Sequence, residues 1–114
     1  MNSTERKGYL GEFIAVLLLR IKGYRILARR YKTVCGEIDI VAQRRDVVAF
    51  VEVKSRKSLE KCCDAINAKQ MGRIRRTSEI FLSKNPRLSS CFIRYDVILT
   101  PRRRLPRHLE NVSM

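Results

Sequence analysis

Two stretches of alternating side chains, each with an acid near its centre, constrain this chain more than any other feature. Glu37 to Gln43 sets Ile38, Ile40 and Ala42 against Glu37, Asp39 and Val41. Val47 to Lys54 sets Val47, Ala49, Val51 and Val53 against Val48, Phe50, Glu52 and Lys54. A period of two is the signature of a strand. The polar run Gln43-Arg44-Arg45-Asp46 between them reads as a short turn, so the pair is expected to form a hairpin. Strands with both faces partly apolar seldom carry acids in the middle, because an unpaired buried carboxylate costs several kcal/mol. Yet Asp39 lies between Ile38 and Ile40, and Glu52 between Val51 and Val53.

Strand geometry supplies a reason. Glu52 and Lys54 share a face, as do Glu37 and Asp39. Residues opposite each other in an antiparallel pair point to the same side. Asp39 and Glu52 therefore converge only if paired residue numbers sum to an odd value, for example 42 with 47, which leaves 43–46 as the loop. An odd loop without a bulge separates them. Converged carboxylates suit a hard divalent cation, Mg²⁺ or Mn²⁺, which takes one or two carboxylates and completes its shell with water and substrate phosphate. Lys54 then stands where it can orient a water or stabilise developing negative charge. The alternative is a solvated hairpin face with ordinary Glu–Lys pairs across the strands.

The flanking elements follow from periodicity and breakers. Residues 4–22 read as a helix with an apolar stripe of Leu10, Phe13, Ile14, Leu17, Leu18 and Ile21. Gly8, Gly11 and Ala15 form a small-residue face beside Glu12, where something could approach the backbone closely, and Gly23 ends the helix. Residues 24–31 read as a strand and 55–66 as irregular or weakly helical. A second helix is expected over 68–84, capped by Asn67, buried through Met71, Ile74, Phe81 and Leu82, and broken at Asn85-Pro86. Cys91 to Thr100 reads as a further strand. The order α-β-β-β-α-β implies a mixed sheet covered by helices, an α/β protein. The expected division is one domain over 1–100 and a basic tail over 101–114, where four arginines and two prolines fall within seven residues and suggest partial mobility.

At this point the residues become specific. Gly36-Glu37-Ile38-Asp39-Ile40-Val41-Ala42, followed by Phe50-Val51-Glu52-Val53-Lys54-Ser55-Arg56, resembles the YraN-like family of small bacterial proteins. That family is similar to archaeal Holliday-junction resolvases and is placed in the PD-(D/E)xK nuclease superfamily. The resemblance extends to Gly11-Glu12-x-x-Ala15, to Gly23 through Arg29, to Lys69-Gln70, to Arg94-Tyr95-Asp96-Val97 and to His108-Leu109-Glu110-Asn111. It implies a restriction-endonuclease-like three-layer core and a Mg²⁺-dependent endonuclease acting on DNA, with structured or branched DNA as the expected substrate. It further implies that Asp39 and Glu52 bind the metal, that Lys54 is the catalytic lysine and that Glu12 assists from the helix. Gln70 and Lys69 become accessory residues near the scissile phosphate; plain capping and solvation are the alternative for both. Asp96 reads as a structural acid paired with a neighbouring arginine.

Charge agrees with a polyanionic partner. Lys and Arg number 25 against 11 acids, a net charge of +14 on 114 residues. Lys69, Arg73 and Arg76 make one stripe of the second helix, and Arg102, Arg103 and Arg104 a basic cluster in the tail. Such groups hold backbone phosphates and read no sequence. With no Trp and few aromatics, base stacking is not expected to lead recognition. Two rivals share the charge: a non-catalytic nucleic-acid-binding module that keeps the fold, and a basic assembly factor on RNA. The four cysteines make no C-x-x-C pair and the lone histidine sits in the tail, so zinc is not expected. Reduced cysteines and a longest apolar run of seven residues, Phe13 to Leu19, point to a cytoplasmic protein that does not enter a membrane. A homodimer is expected from the two-fold symmetry of resolvase substrates.

Overall fold

The computed structural model describes residues 3–113, with side chains from Tyr9 onward. Helix α1 (Ser3–Ile21) leads into a meander of β1 (Arg25–Thr33), β2 (Gly36–Arg44) and β3 (Val47–Lys54). Helices α2 (Leu59–Asp64) and α3 (Ala68–Ser83) then carry the chain to β4 (Phe92–Leu99), and β5 (Arg107–Leu109) closes the sheet. The order across the sheet is β1-β2-β3-β4-β5. Neighbours are antiparallel except β3 and β4, which run parallel. Two helices in the β3–β4 connection are what a parallel pair requires. The chain is thus α/β with a mixed sheet. Helix α2, a short 3₁₀ turn at Pro86–Leu88 and strand β5 are additions to the order expected from sequence.

The central strands are buried on both faces. Val41, Val48 and Phe50 join Met71, Ile74 and Phe81 of α3 in one cluster. Ile40, Ala42, Ala49 and Val51 join Ala15, Val16 and Leu19 of α1 in the other. Ile38 breaks the alternation by packing on the α3 side. The break falls where the paired run of β2 and β3 stops, after Ile40 and Val51. Helix α3 begins as expected, with the Asn67 side chain accepting the Gln70 amide at 2.8 Å.

Of the two apolar faces of α1, the small-residue face, the expected place of close approach, packs on the sheet, and the bulky stripe turns outward. Leu10, Phe13 and Ile21 are 60%, 55% and 83% exposed, and Leu17 is exposed as well. The face turned to the sheet is the small one. A Cβ on Gly11 would lie 2.8 Å from Thr100 Oγ1 and 2.9 Å from Ser55 Cβ. The helix sits too close to the sheet for a larger side chain there, so the bulky residues turn outward. Gly8 lies outside the residues whose side chains are described. At its end, Gly23 takes φ 92° while the Tyr24 amide reaches back to the Leu19 carbonyl at 2.9 Å, a glycine stop.

The tail is also corrected. Beyond residue 100 the chain stays on the sheet: the Thr100 amide bonds the Lys54 carbonyl at 2.9 Å and the Arg102 amide the Arg56 carbonyl at 3.1 Å. After β5, the Val112 amide bonds the Tyr95 carbonyl at 2.7 Å. A buried ionic cluster fastens this segment. Asp96 accepts from Arg94 through both oxygens at 2.9 Å, from His108 Nε2 at 2.7 Å and from the Asn111 amide at 3.0 Å. The Lys22 ammonium faces His108 Nδ1 at 2.6 Å, so the ring proton belongs on Nε2, against Asp96. Burial works to raise the Asp96 pKa, but bonds from His108, Arg94 and the Asn111 amide together outweigh it and the net shift is downward. Asp96 is therefore the structural acid expected from sequence, and the tail is held by it. Among the described residues no helix is long and apolar enough to cross a membrane. All four cysteines are free, with Cys62 in the core.

Candidate active site

The β2–β3 turn is tighter than expected. Arg44 pairs with Val47, so only Arg45 and Asp46 form the loop, with Arg45 at φ 56°. Gln43 and Arg44 belong to the strand; their polarity reflects an edge of the hairpin rather than a turn. Parity is unchanged, since Ala42 pairs with Ala49 and Ile40 with Val51. One further step of that register sets Asp39 opposite Glu52. Instead of a continued backbone ladder, Asp39 Oδ2 accepts the Val53 amide at 2.8 Å. The side chain of Asp39 thus takes over a strand bond and is fixed beside Glu52.

Glu52 and Lys54, both 6% exposed, point toward the start of α3. Gln70 Nε2 donates to Glu52 Oε1 at 3.0 Å, and the Lys54 ammonium donates to Gln70 Oε1 while lying 3.5 Å from Glu52 Oε1. The cap that starts α3 also fixes Gln70, because Asn67 holds its amide. Three polar side chains from two elements are locked against one another.

Burial and the neighbouring Asp39 charge push Glu52 up to about 8, against partial relief from Lys54. Asp39 is also raised, chiefly by burial, with the charges of Glu12 and Glu37 adding to it. The pair behaves as one unit that retains a proton. A carboxyl whose folded pKa is raised contributes stability below its unfolded value and loses it as pH climbs through the folded one. Without metal, stability should therefore fall as pH rises from about 4.5 toward about 8 and then level off. Urea midpoints in chelator check this. Glu52→Gln should flatten the slope; an equal slope in that variant would rule out the pair as its source.

A cleft of about 1140 Å³ opens above the carboxylates. Glu12, Asp39, Glu52 and Lys54 line it, and Arg102, Arg103 and Arg104 form one wall. A smaller cavity of about 170 Å³ on the α3 side is lined by Asp39, Glu52, Gln70 and Arg73. Lys69 and Arg76 are exposed on α3 outside both cavities. Glu12 comes to the cleft, but its Oε2 accepts from Arg30 Nε at 2.8 Å. Among the described residues no three acids, cysteines or histidines are grouped closely enough to hold a metal ion together. Reasoning from sequence missed three cations: Arg56 and Lys57, which line the cleft directly after the strand, and Arg30. The first two are adjacent to Glu52-x-Lys54 and were legible as such. Arg30 was not, because its place depends on the β1–β2 register.

A match to "Uncharacterised protein family UPF0102" runs over residues 11–100 and takes in every residue from Glu12 to the end of β4. The chain belongs to the UPF0102 family. It is 45% identical over 107 residues to a UPF0102 protein of Chelativorans sp. strain BNC1, covering 94% of this chain and 86% of that one. It is 49% identical over 102 residues to a UPF0102 protein of Rhodopseudomonas palustris strain HaA2, covering 90% and 80%. A third, of Paramagnetospirillum magneticum, is 44% identical over 111 residues, covering 94% and 86%. The UPF0102 match thus begins within α1 and ends just past β4; it takes in Glu12, Asp39, Glu52 and Lys54 but not the arginine wall at 102–104, and it carries no assigned activity.

Proposed function

We propose that this UPF0102 chain is a metal-dependent endonuclease with a restriction-endonuclease-like core, cutting phosphodiester bonds in structured or branched DNA. The observation that carries the reading is the half-buried Asp39 beside the buried Glu52 on one hairpin, with Lys54 adjacent, under a cleft walled by arginines. Two neighbouring carboxylates destabilise one another, and a divalent cation offsets that repulsion. The donors fit: all are carboxylate oxygens, the ligands Mg²⁺ or Mn²⁺ prefer. When bound, the ion supplies positive charge at the phosphate and acidifies a water.

The chain's own residues do the rest. Asp39 is oriented by the Val53 amide, and Glu52 by Gln70, so both present oxygens in fixed directions. Lys54, steered by Gln70, offers an ammonium donor to the attacking water or to the charge growing on the phosphate. Arg102, Arg103, Arg104, Arg56 and Lys57 along the cleft, with Arg73 across the carboxylates, hold backbone phosphates on both sides of the scissile bond. A homodimer belongs to the same proposal; the outward apolar stripe of α1 offers the uncharged surface it needs. So does a cytoplasmic location.

The contact of Glu12 with Arg30 favours a second reading, a nucleic-acid-binding module that keeps the fold without cutting. Incubation with duplex, single-stranded and four-way-junction DNA, in Mg²⁺, in Mn²⁺ and in chelator, decides between them. Metal-dependent cutting of the junction before the plain duplex is the expected result. Tight binding with every DNA left intact in either metal would favour the module.

A further inference from the structure

Arg30 occupies an uncommon backbone position. It sits within β1 at φ 51°, a left-handed conformation that costs a residue with a Cβ about 1 kcal/mol or more. Arg29 pairs with Ile40 and Tyr31 with Ile38, so Arg30 falls across from Asp39. Its guanidinium lies 3.6 Å from the centroid of the Tyr9 ring, which fixes its plane. From there Nε reaches Glu12 Oε2 at 2.8 Å. The Glu12 side chain is only 11% exposed and that of Arg30 34%, so the pair is partly shielded from water.

Glu12 is thus an acid on the wall of the cleft, beside Asp39 and Glu52, but committed to a cation supplied by the chain. One carboxylate oxygen cannot serve a guanidinium and a metal ion equally well. We propose that Arg30 is a positioning residue that competes with the divalent cation for Glu12, holding that carboxylate aside in the metal-free protein and yielding it when the ion enters. This rests on the metal-site reading above. Once released, the guanidinium keeps no other ion pair among the described residues and stands on the strand next to that of Asp39, where a phosphate of the nucleic acid can take the place of Glu12. Metal and nucleic acid then favour each other, since each takes one half of the Arg30–Glu12 pair; such coupling is reciprocal.

The test is Mn²⁺ binding without nucleic acid, read from the free-ion paramagnetic resonance signal, for four proteins. These are the wild type, Arg30→Asn, Glu12→Gln and the double variant. Asn tolerates left-handed backbone well, so Arg30→Asn should fold, and thermal melts confirm that each variant does. Arg30→Asn should bind Mn²⁺ on the order of threefold to fivefold tighter, the scale of a partly exposed ion pair. Glu12→Gln should bind it more weakly, and adding Arg30→Asn to Glu12→Gln should give no gain. Unchanged or weaker binding by Arg30→Asn overturns the inference and leaves the metal site standing. A gain that persists in the Glu12→Gln background also overturns it, since loss of a nearby charge would then be the whole effect. No Mn²⁺ binding by any of the four removes the metal-site reading itself.

Discussion

Lys54→Ala is expected to slow cleavage by about 10²–10³-fold while DNA affinity changes little. The reason lies in where the ammonium is held. It is buried, fixed by Gln70 and 3.5 Å from Glu52, so it is a poor general contact for phosphates approaching from solvent. Its value is in the transition state, when negative charge grows at the one atom it faces. The surface arginines are the opposite case, exposed and numerous, and on the proposed reading each would contribute to affinity without touching the reacting atoms. Single-turnover cleavage and filter binding of the same junction DNA separate the two roles. A variant that loses binding and cutting in equal measure would show Lys54 to be a phosphate anchor. Gln70→Ala should follow Lys54→Ala in direction with a smaller loss, since it acts by steering both Lys54 and Glu52.

Asp96→Ala is expected to destabilise the fold by about 3–5 kcal/mol, the usual result of removing one partner from a buried ionic network. The carboxylate is fully buried and satisfies Arg94, His108 and the Asn111 amide together. Without it, Arg94 retains among the described residues an outer contact with Glu110 at 3.9 Å and the ring and hydroxyl of Tyr24, and the tail loses the ionic part of its fastening to β4. Thermal unfolding should show a drop of more than about 10 °C, since each kcal/mol moves the midpoint several degrees in a domain of this size. The pH dependence has the opposite sign to that of Glu52. The net Asp96 pKa is lowered, so its stabilisation is complete above the ordinary value of 3.8 and is lost only as pH falls through the lowered one. The gap between wild type and variant should therefore hold steady through neutral pH. A variant that melts with the wild type would mean that the Asp96 ionic cluster contributes nothing to the fold.

What the sequence made legible was whatever depends on local period and parity. The β2–β3 hairpin was visible because acids interrupted two clean alternations, and the odd-sum pairing that brings Asp39 to Glu52 holds in the structure. The α3 start was visible because Asn67 is a strong cap. The turn length was not, because Gln43 and Arg44 are polar strand residues whose strand character shows only once they are paired. The small face of α1 was legible as a place of close approach, but its winning over the bulky stripe was not, because both sides of that helix are apolar and the choice is made by distance. Gly11 and Ala15 allow an approach that Phe13 and Leu17 would prevent. The tail was misjudged because β5 spans only Arg107–Leu109, too short to show a period, and its anchor Asp96 lies on another strand. Arg30 was invisible for a similar reason: a left-handed residue opposite Asp39 exists only after β1 and β2 have paired.

A crystal soaked in Mn²⁺ shows whether Asp39 and Glu52 form a metal site. The anomalous difference map should hold one strong peak between the two carboxylates, at about the 2.0–2.2 Å oxygen distance of a small divalent ion. It should vanish in crystals of Asp39→Asn. Ordered manganese elsewhere on the protein, with no density between Asp39 and Glu52, would contradict the account.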